Sequence, residues 1–235
     1  MAFSKLVLFV VEGESDELAL GRSLTTVFAA RKHLEVRFGI VRGDITADSD
    51  GSPSDIKKRV NACARQYLSK YKLKWSDLDS IVLISDMDGA FLNSSSVVEK
   101  QGSDGIIYLS DRIICNDAYG INKRNERKGG CLKVLSRTGH LSYSGKKVRF
   151  IACYMSRNLE HALSDCIEET STDDKFALAR RFTKKYGTND VEFLAFLKSI
   201  APEGDYRDSW DYISQGTNSL QRGSNLCQVL KLLTA

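Results

Sequence analysis

Two stretches of sequence decide the fold: KLVLFVVEGESD at residues 5–16 and SIVLISDMDG at residues 80–89. Each begins with a continuous apolar run of strand length, which is typical of a strand buried in a parallel sheet. Each run ends at acidic residues with a glycine beside them, and glycine permits a tight turn. The two stretches therefore predict two buried strands that each end in a polar turn.

The sequence around these stretches alternates between strand and helix patterns. Strands are predicted at residues 5–11, 35–41, 80–85 and 147–154, and the connecting helices at 16–30 and 53–71. This alternation predicts an α/β domain with a mainly parallel four-stranded sheet flanked by helices. We expect it to occupy residues 1–155, with an insertion at about 90–145 and a helical C-terminal extension at 156–235. Within the insertion, apolar stretches lie at 106–109 and 112–115, and a helix is predicted at 125–136. Further helices are predicted at 158–168, 172–186, 190–200 and 226–233.

The composition is that of a globular chain without a membrane segment. The hydrophobic fraction is 42% and the charged fraction is 27%, which are ordinary values for a globular protein. No apolar run reaches the roughly 18–20 residues that span a bilayer, and the first run has no leader-type cleavage site. None of the six cysteines forms a C-x-x-C pair, so the sequence does not indicate a zinc site. We therefore expect a cytoplasmic protein with reduced thiols and no membrane partner.

Basic residues are concentrated in two groups, although the net charge is only +4. The larger group lies in the insertion and the strand after it, and consists of Lys123, Arg124, Arg127, Lys128, Lys133, Arg137, Lys146, Lys147 and Arg149. The smaller group is Arg180, Arg181, Lys184 and Lys185. Such groups are typical of a surface that follows a phosphate backbone, and equally of a solvated helix face. We expect Lys123, Arg124 and Arg157 to contact nucleic acid.

Carboxylates follow the first and third predicted strands. Glu12 comes directly after the first strand, and Asp86 and Asp88 come after the third, where an extended backbone would point both aspartates the same way. Ligands of open parallel sheets bind beyond the carboxyl ends of the strands. If the two strands are neighbours, the three carboxylates converge and repel each other unless a cation or protons compensate them. Oxygen ligands suit Mg²⁺ or Mn²⁺, so the sequence predicts a site for one of these ions.

These residues resemble the motifs of the topoisomerase–primase (TOPRIM) family. Residues 9–16, FVVEGESD, resemble the first motif, in which an apolar strand is followed by Glu-Gly and an acidic residue at the helix start. Residues 82–88, VLISDMD, resemble the second motif, an apolar strand that ends in Asp-x-Asp. The resemblance covers about residues 5–155 and implies a TOPRIM-like sheet in that part of the chain.

The resemblance also implies roles for the site residues. Glu12 would be the general acid/base or a metal ligand, Asp86 and Asp88 would be metal ligands, and Asp16 would help to bind a second metal, as in nucleases of the overcoming-lysogenization-defect (OLD) type. The chain has no evident topoisomerase tyrosine domain or primase zinc module, which favours the small OLD-like nucleases. The resemblance thus implies a magnesium-dependent endonuclease that acts on DNA or RNA, and a phage-defence effector with an ATPase partner.

Several alternatives stay open at this stage. His161, after the fourth strand, is a candidate for holding the scissile phosphate or shuttling a proton, but a packed histidine is the commoner outcome. The Asp86 motif also resembles that of haloacid-dehalogenase (HAD) phosphatases, although it usually opens such a domain, whereas here two strands and two helices precede it. A non-catalytic TOPRIM subunit that binds nucleic acid or a partner is a third interpretation. The sequence also leaves open a homo-oligomer and the number of metal ions.

Overall fold

The computed structural model describes residues 5–41, 43–48, 51–103, 105–166 and 171–234. In this part of the chain, eight strands lie at β1 (Lys5–Val11), β2 (Leu34–Ile40), β3 (Leu78–Asp86), β4 (Val97–Glu99), β5 (Ile107–Tyr108), β6 (Ile113–Cys115), β7 (His140–Tyr143) and β8 (Lys146–Met155). The same residues contain eight α-helices at α1 (Glu14–Phe28), α2 (Ile56–Lys70), α3 (Ala118–Ser136), α4 (Leu159–Ser164), α5 (Thr172–Tyr186), α6 (Asp190–Ser199), α7 (Tyr206–Ile213) and α8 (Leu226–Thr234).

The central sheet has the strand order β2-β1-β3-β8-β7, and its first four strands are parallel. Phe9 of β1 pairs with Phe38 on one side and with Val82 on the other. The chain is therefore an α/β protein with a mostly parallel sheet, which confirms the general fold class. The number of strands was wrong, because a fifth strand, β7, joins the edge beside β8 in the antiparallel direction.

A tight hairpin accounts for this additional strand. Tyr143 pairs with Lys146, so only Ser144 and Gly145 form the loop between β7 and β8. Both loop residues have positive φ, 49° and 76°. Two-residue hairpin loops favour this conformation because its twist matches that of the strands. The Ser-Gly pair was thus a local signal for a hairpin that the strand pattern alone did not show.

Helices bury both faces of the sheet. Val7, Phe9 and Val11 of β1 lie in a core formed with α1, α4, α5, α6 and α8. Leu6, Leu8 and Val10 lie in a second core formed with α2, α3 and α7. Successive side chains of a strand point to opposite faces, so a strand covered on both sides is apolar throughout. The continuous apolar run in β1 follows directly from this three-layer arrangement.

The insertion forms a small structure of its own. The strands β4, β6 and β5 form a three-stranded sheet, with β6 in the middle. The strands β5 and β6 lie within the apolar stretches noted at 106–109 and 112–115. The helix α3 begins at Ala118, seven residues earlier than the predicted start at 125, because the Asp117 side chain accepts a hydrogen bond from the Gly120 N–H at 2.8 Å and caps it. This extension brings the basic residues 123 and 124 into the helix.

The C-terminal helices contribute to both cores. The predicted helix at 158–168 ends at Ser164, and residues 167–170 lie outside the described residues. The helix α7 was not predicted, and its Trp210 packs edge-on against Tyr154 of β8 with ring centroids 5.1 Å apart. None of the helices in the described part of the chain is long and apolar enough to span a membrane. The boundary predicted at residue 155 stays a prediction.

The order of the strands creates a crevice at one edge of the sheet. The strand β1 lies between β2 and β3. The helix after β1 covers one face, whereas the helix after β2 covers the other. Such a reversal of strand order opens a crevice at the carboxyl ends of the strands, where ligands bind in open α/β sheets. The turns after β1 and β3 therefore lie at the position where a functional site is expected.

Candidate active site

Glu12 lies directly after β1, at the start of the turn into α1. Gly13 is the N-cap of α1 and has an extended backbone, with φ −138° and ψ 168°. The Asp16 carboxylate turns back and accepts a hydrogen bond from the Gly13 N–H at 3.0 Å, and Ser15 Oγ donates to it at 3.2 Å. These bonds satisfy an N–H group at the helix start. Asp16, predicted to help a second metal ion, is therefore a capping residue beside Glu12.

Asp86 is the last residue of β3, and the chain turns sharply after it. Asp88 and Gly89 both have left-handed backbones, with φ 46° and 75°. Asp88 therefore does not continue the extended alternation that predicted parallel aspartate side chains. Its N–H donates to the Arg157 carbonyl oxygen at 2.8 Å, which ties the turn to the segment after β8. A Cβ at Gly89 would lie 2.8 Å from two neighbouring methyl groups, so this turn requires glycine.

A chain of polar contacts links the turn after β1 to Asp44, which follows β2. Ser85 Oγ donates to Glu12 Oε1 at 3.4 Å, and it lies 3.3 Å from Thr46 Oγ1. Asp44 Oδ1 accepts bonds from the Thr46 N–H at 2.7 Å and from Thr46 Oγ1 at 2.5 Å. The first two contacts are long for hydroxyl hydrogen bonds and the last two are short. Asp44 is therefore held firmly, and it belongs to the same site as Glu12.

Lys128 of α3 completes the site from the insertion. Its Nζ lies 2.6 Å from Asp44 Oδ2 and 2.6 Å from Asp88 Oδ2. Its side chain is 0% exposed, whereas the two aspartates are partly exposed. A buried ammonium is stable only when it is paired and hydrogen-bonded. The sequence placed Lys128 in a basic group and could not show that it points inward, because the partners that keep it buried are distant in the chain.

Burial and repulsion disturb the titration of these groups. Burial raises the pKa of Glu12 to about 8, against the opposing charge of Lys128 and with added repulsion from neighbouring carboxylates. Burial, and then the charge of Glu12, hold the pKa of Asp86 well above its ordinary value. Burial also acts to raise the pKa of Asp44, but the charge and hydrogen bond of Lys128, together with the hydrogen bonds from Thr46, outweigh burial and the pKa is lowered. Lys128 thus compensates Asp44, while Glu12 and Asp86 stay short of positive charge.

Glu160 is a further carboxylate near this edge, for which the sequence indicated this position but no role. It lies in the first turn of α4, is 5% exposed, and its Oε1 lies 3.8 Å from Lys175 Nζ. Burial raises its pKa, and the charges of Asp16 and Asp88 contribute to the rise. The position of Glu160 just after the fourth parallel strand was the available signal, because that strand ends at the same edge of the sheet.

Two of the predicted nucleic-acid-binding residues lie against the turn after β3. Arg124 Nη2 donates to the Asp88 carbonyl oxygen at 3.1 Å and to Tyr108 Oη at 3.2 Å. The guanidinium of Arg157 lies 4.9 Å from the centre of the Tyr108 ring, and Arg157 is buried. The two arginines therefore bracket one tyrosine of the insertion. Their contacts with nucleic acid stay a prediction.

The contacts of His161 and Lys123 are with residues other than the site carboxylates. His161 is buried, with Nδ1 3.4 Å from the Ser156 carbonyl oxygen and Nε2 3.9 Å from Asp165 Oδ1. Burial, and then the charge of Arg157, lower its pKa. Lys123 is exposed on α3 and lies 3.5 Å from Glu126. The predicted catalytic role of His161 stays a prediction; in the described part of the chain, its hydrogen bonds and ion pair go to Asn158, Ser156 and Asp165.

The side chains of the site can be compared with those that a magnesium or manganese ion requires. Across residues 5–41, 43–48, 51–103, 105–166 and 171–234, no group of three or more His, Cys, Asp or Glu side chains is arranged closely enough to hold a metal ion. The Lys128 ammonium instead draws Asp44 and Asp88 together. The atoms offered by Glu12 and Asp86 are nevertheless carboxylate oxygens, which Mg²⁺ and Mn²⁺ prefer. The magnesium prediction therefore stays a prediction.

A cavity of about 730 Å³ lies apart from these carboxylates, between α3, β8 and α7. Four basic side chains line it: Lys133, Arg137, Arg149 and Arg207. Asp211 is the acidic residue in its lining, and Phe91, Tyr206 and Trp210 provide aromatic surface. Part of the larger basic group therefore faces one concave surface, which suits a phosphate-bearing chain with stackable bases.

Comparisons with protein-family models, with curated proteins and with solved structures found no match to this chain.

Proposed function

We propose that this chain is a metal-dependent nuclease of the TOPRIM type that cleaves phosphodiester bonds in DNA or RNA. The observation that carries the proposal is the placement of Glu12 beside the Asp86 turn, at the carboxyl ends of the adjacent parallel strands β1 and β3. This edge is where the sequence motifs of the family would place a catalytic centre. The strand order, with its crevice at the same edge, supports the proposal independently of the motifs.

The donor set of the site suits a hard divalent cation. Glu12, Asp86 and Asp88 offer only carboxylate oxygens, and the ion pairs of the buried Lys128 ammonium go to Asp44 and Asp88. Glu12 and Asp86 would therefore provide the main ligands, and Asp88 would complete the set from its second oxygen. A bound Mg²⁺ or Mn²⁺ supplies the charge that polarises a phosphate and stabilises a leaving oxygen.

The side chains of the chain have separate tasks in the proposed reaction. Glu12 would accept the proton of the attacking water, and a bound divalent cation would favour the ionised form that this role requires over the protonated form that burial favours. Lys128 donates to the Asp88 carboxylate and Arg124 donates to the Asp88 carbonyl oxygen, so both residues hold this turn in place. The basic residues of α3 and of the 730 Å³ cavity contact the phosphate backbone. His161 contacts Ser156 and Asp165, and its role in holding the scissile phosphate or shuttling a proton stays a prediction.

The proposed biological setting rests on the family resemblance alone. Small nucleases of the OLD type act in phage defence together with an ATPase. By that analogy, this chain would be the nuclease of such a pair, with nucleic acid as its substrate. The cleavage experiment is therefore performed with the purified chain alone and again with any ATPase that is encoded beside it.

Cleavage of plasmid DNA, single-stranded DNA and RNA in the presence of Mg²⁺ or Mn²⁺ tests the proposal. We expect the wild type to cleave at least one of these, and Glu12→Gln and Asp86→Asn to reduce the rate by roughly a hundredfold or more. Asp79→Asn is the matched control, because Asp79 is an exposed aspartate near the opposite end of β3. Its cleavage rate should equal that of the wild type.

Two other outcomes would favour the other interpretations. Absence of cleavage under every condition, with retained binding of nucleic acid, would favour a non-catalytic binding subunit. Release of phosphate from small phosphomonoesters that is lost in Asp86→Asn but unchanged in Glu12→Gln would favour a HAD-like phosphatase. We expect no such phosphatase activity, because Glu12, on the neighbouring strand, shares the site with the Asp86 turn.

A further inference from the structure

Lys128 is an internal cation of the site, and its position is unusual for a lysine. The side chain is 0% exposed, and its Nζ lies 2.6 Å from a carboxylate oxygen of Asp44 and 2.6 Å from one of Asp88. Lysine is almost never fully buried unless its charge is paired. The ammonium therefore bridges the turn after β2 and the turn after β3.

The close packing of helix α3 positions the Lys128 side chain in the site. Gly129 lies so close to the turn after β3 that a Cβ at this glycine would be 2.6 Å from the Ala90 carbonyl oxygen. At Gly130, a Cβ would lie 2.9 Å from Cγ of Pro53. Two adjacent glycines inside a helix disfavour the helix itself. Their absent side chains let α3 lie directly on the turn after Asp88 and on Pro53, with Lys128 buried beside the carboxylates.

Asp44 is fixed on its other oxygen, so it cannot readily leave the lysine. Its Oδ1 accepts bonds from the Thr46 N–H, from Thr46 Oγ1 and from the Ala47 N–H at 3.2 Å. These three donors leave Oδ2 for Lys128. The oxygens of Asp44 and Asp88 that face each other are therefore both committed to the same ammonium.

We propose that Lys128 takes the place of a second divalent cation, so that the site binds one metal ion rather than two. The inference rests on the proposed function, since it concerns the metal content of the same site. A divalent ion between Asp44 and Asp88 would need the oxygens that Lys128 holds, and the displaced ammonium would be left buried without a partner. A first ion held by Glu12 and Asp86 would not compete with the lysine for these two oxygens.

Counting the bound ions tests this inference without an assay of activity. Mn²⁺ is titrated into the metal-free protein, and the bound ion is measured by electron paramagnetic resonance and by equilibrium dialysis. We expect one Mn²⁺ per wild-type chain and two per Lys128→Ala chain, because the shortened side chain frees Asp44 and Asp88. The second ion should be lost again in Lys128→Ala/Asp44→Asn. Lys198→Ala removes an exposed lysine of α6, away from the site, and should leave the count at one.

The outcomes separate this inference from the proposed function. Two Mn²⁺ ions in the wild type would overturn the inference and leave the nuclease proposal standing. One ion in a Lys128→Ala chain with a wild-type circular dichroism spectrum would also overturn it, because the lysine would then not exclude a second ion. No specific Mn²⁺ binding by the wild type would overturn the metal-dependent function, and the inference with it. The wild-type count decides between these outcomes even if Lys128→Ala does not fold.

Discussion

A Cβ atom on Gly129 would lie 2.6 Å from the carbonyl oxygen of Ala90. The backbone of α3 therefore touches the turn that follows Asp88, and the neighbouring residue, Lys128, enters the site at this point. Alanine is a better helix former than glycine by about 1 kcal/mol, so propensity alone would favour alanine at this position. The close approach to a carbonyl oxygen, which cannot move aside as a flexible side chain can, reverses that preference.

We therefore predict that Gly129→Ala destabilises the protein by about 1–3 kcal/mol, as expected for overpacking. Gly21→Ala is the matched control, because Gly21 lies inside α1 and a Cβ there would meet the Phe38 ring at an ordinary 3.7 Å. That variant should gain up to about 1 kcal/mol from helix propensity. Urea unfolding of both variants measures the difference. Equal stabilisation by the two substitutions would show that α3 does not press on the turn.

The ion pairs of Lys128 give a second prediction for stability. Lys128→Met leaves Asp44 and Asp88 without their shared cation, and we expect a loss of about 3–5 kcal/mol, as for a broken buried ion pair. Lys133→Met, at an exposed position of the same helix, should change the free energy of unfolding by no more than about 0.5 kcal/mol. Chemical denaturation measures both values.

A double-mutant cycle shows whether the loss comes from the ion pair. In Lys128→Met/Asp44→Asn, one of the two carboxylates that would lack a partner is removed. The loss in the free energy of unfolding should therefore be smaller in the double variant than the sum of the losses in the single variants. Simple additivity of the two losses would mean that Lys128 and Asp44 do not interact, in contradiction to their 2.6 Å separation.

The elements that the sequence predicted well are those whose pattern is local. The apolar run of β1 and the position of Glu12 after it depend only on neighbouring residues, and the strand lies at Lys5–Val11 as predicted. Two features were missed although a local signal existed. The helix α7 begins with a capping box between Asp205 and Asp208, and the β7 hairpin has a Ser-Gly turn.

Other parts of the site depend on distant contacts, and the sequence pattern could not show them. Lys128 stands in a run of basic residues that is typical of a solvated helix face, and only its contacts with Asp44 and Asp88 explain its burial. The expectation that Asp86 and Asp88 point the same way assumed an extended backbone. The left-handed backbone of Asp88 depends on a hydrogen bond to Arg157, which is 69 positions away in the chain.

The raised pKa of Glu160 predicts a dependence of stability on pH. Because burial raises this pKa above its ordinary value of 4.5, the protonated form is favoured in the folded state. Its contribution to stability is therefore present at pH values below 4.5 and is lost as the pH rises through the folded-state pKa. We predict that Glu160→Gln, which cannot ionise, becomes more stable relative to the wild type as the pH is raised from acidic to neutral.

Urea unfolding over a pH series measures this relative stability. The ion pair with Lys175, at 3.8 Å, opposes the effect but is partly exposed, so it should not reverse the sign. Glu126→Gln, at an exposed position of α3, is the control and should stay within about 0.5 kcal/mol of the wild type throughout. A relative stability of Glu160→Gln that falls on going to neutral pH would mean that Lys175 outweighs burial.

The basic lining of the 730 Å³ cavity predicts salt-dependent binding of nucleic acid. Each phosphate contact on a single strand contributes about 0.7 to the slope of log K against log salt concentration. Arg137→Ala/Arg149→Ala should therefore weaken binding of a labelled single-stranded oligonucleotide and lower the slope by about 1.4. Lys198→Ala, at an exposed position of α6 on the opposite face of the sheet, should leave the slope unchanged. Fluorescence anisotropy over a series of salt concentrations measures it, and equal slopes for the double variant and the wild type would exclude the cavity as part of the nucleic-acid path.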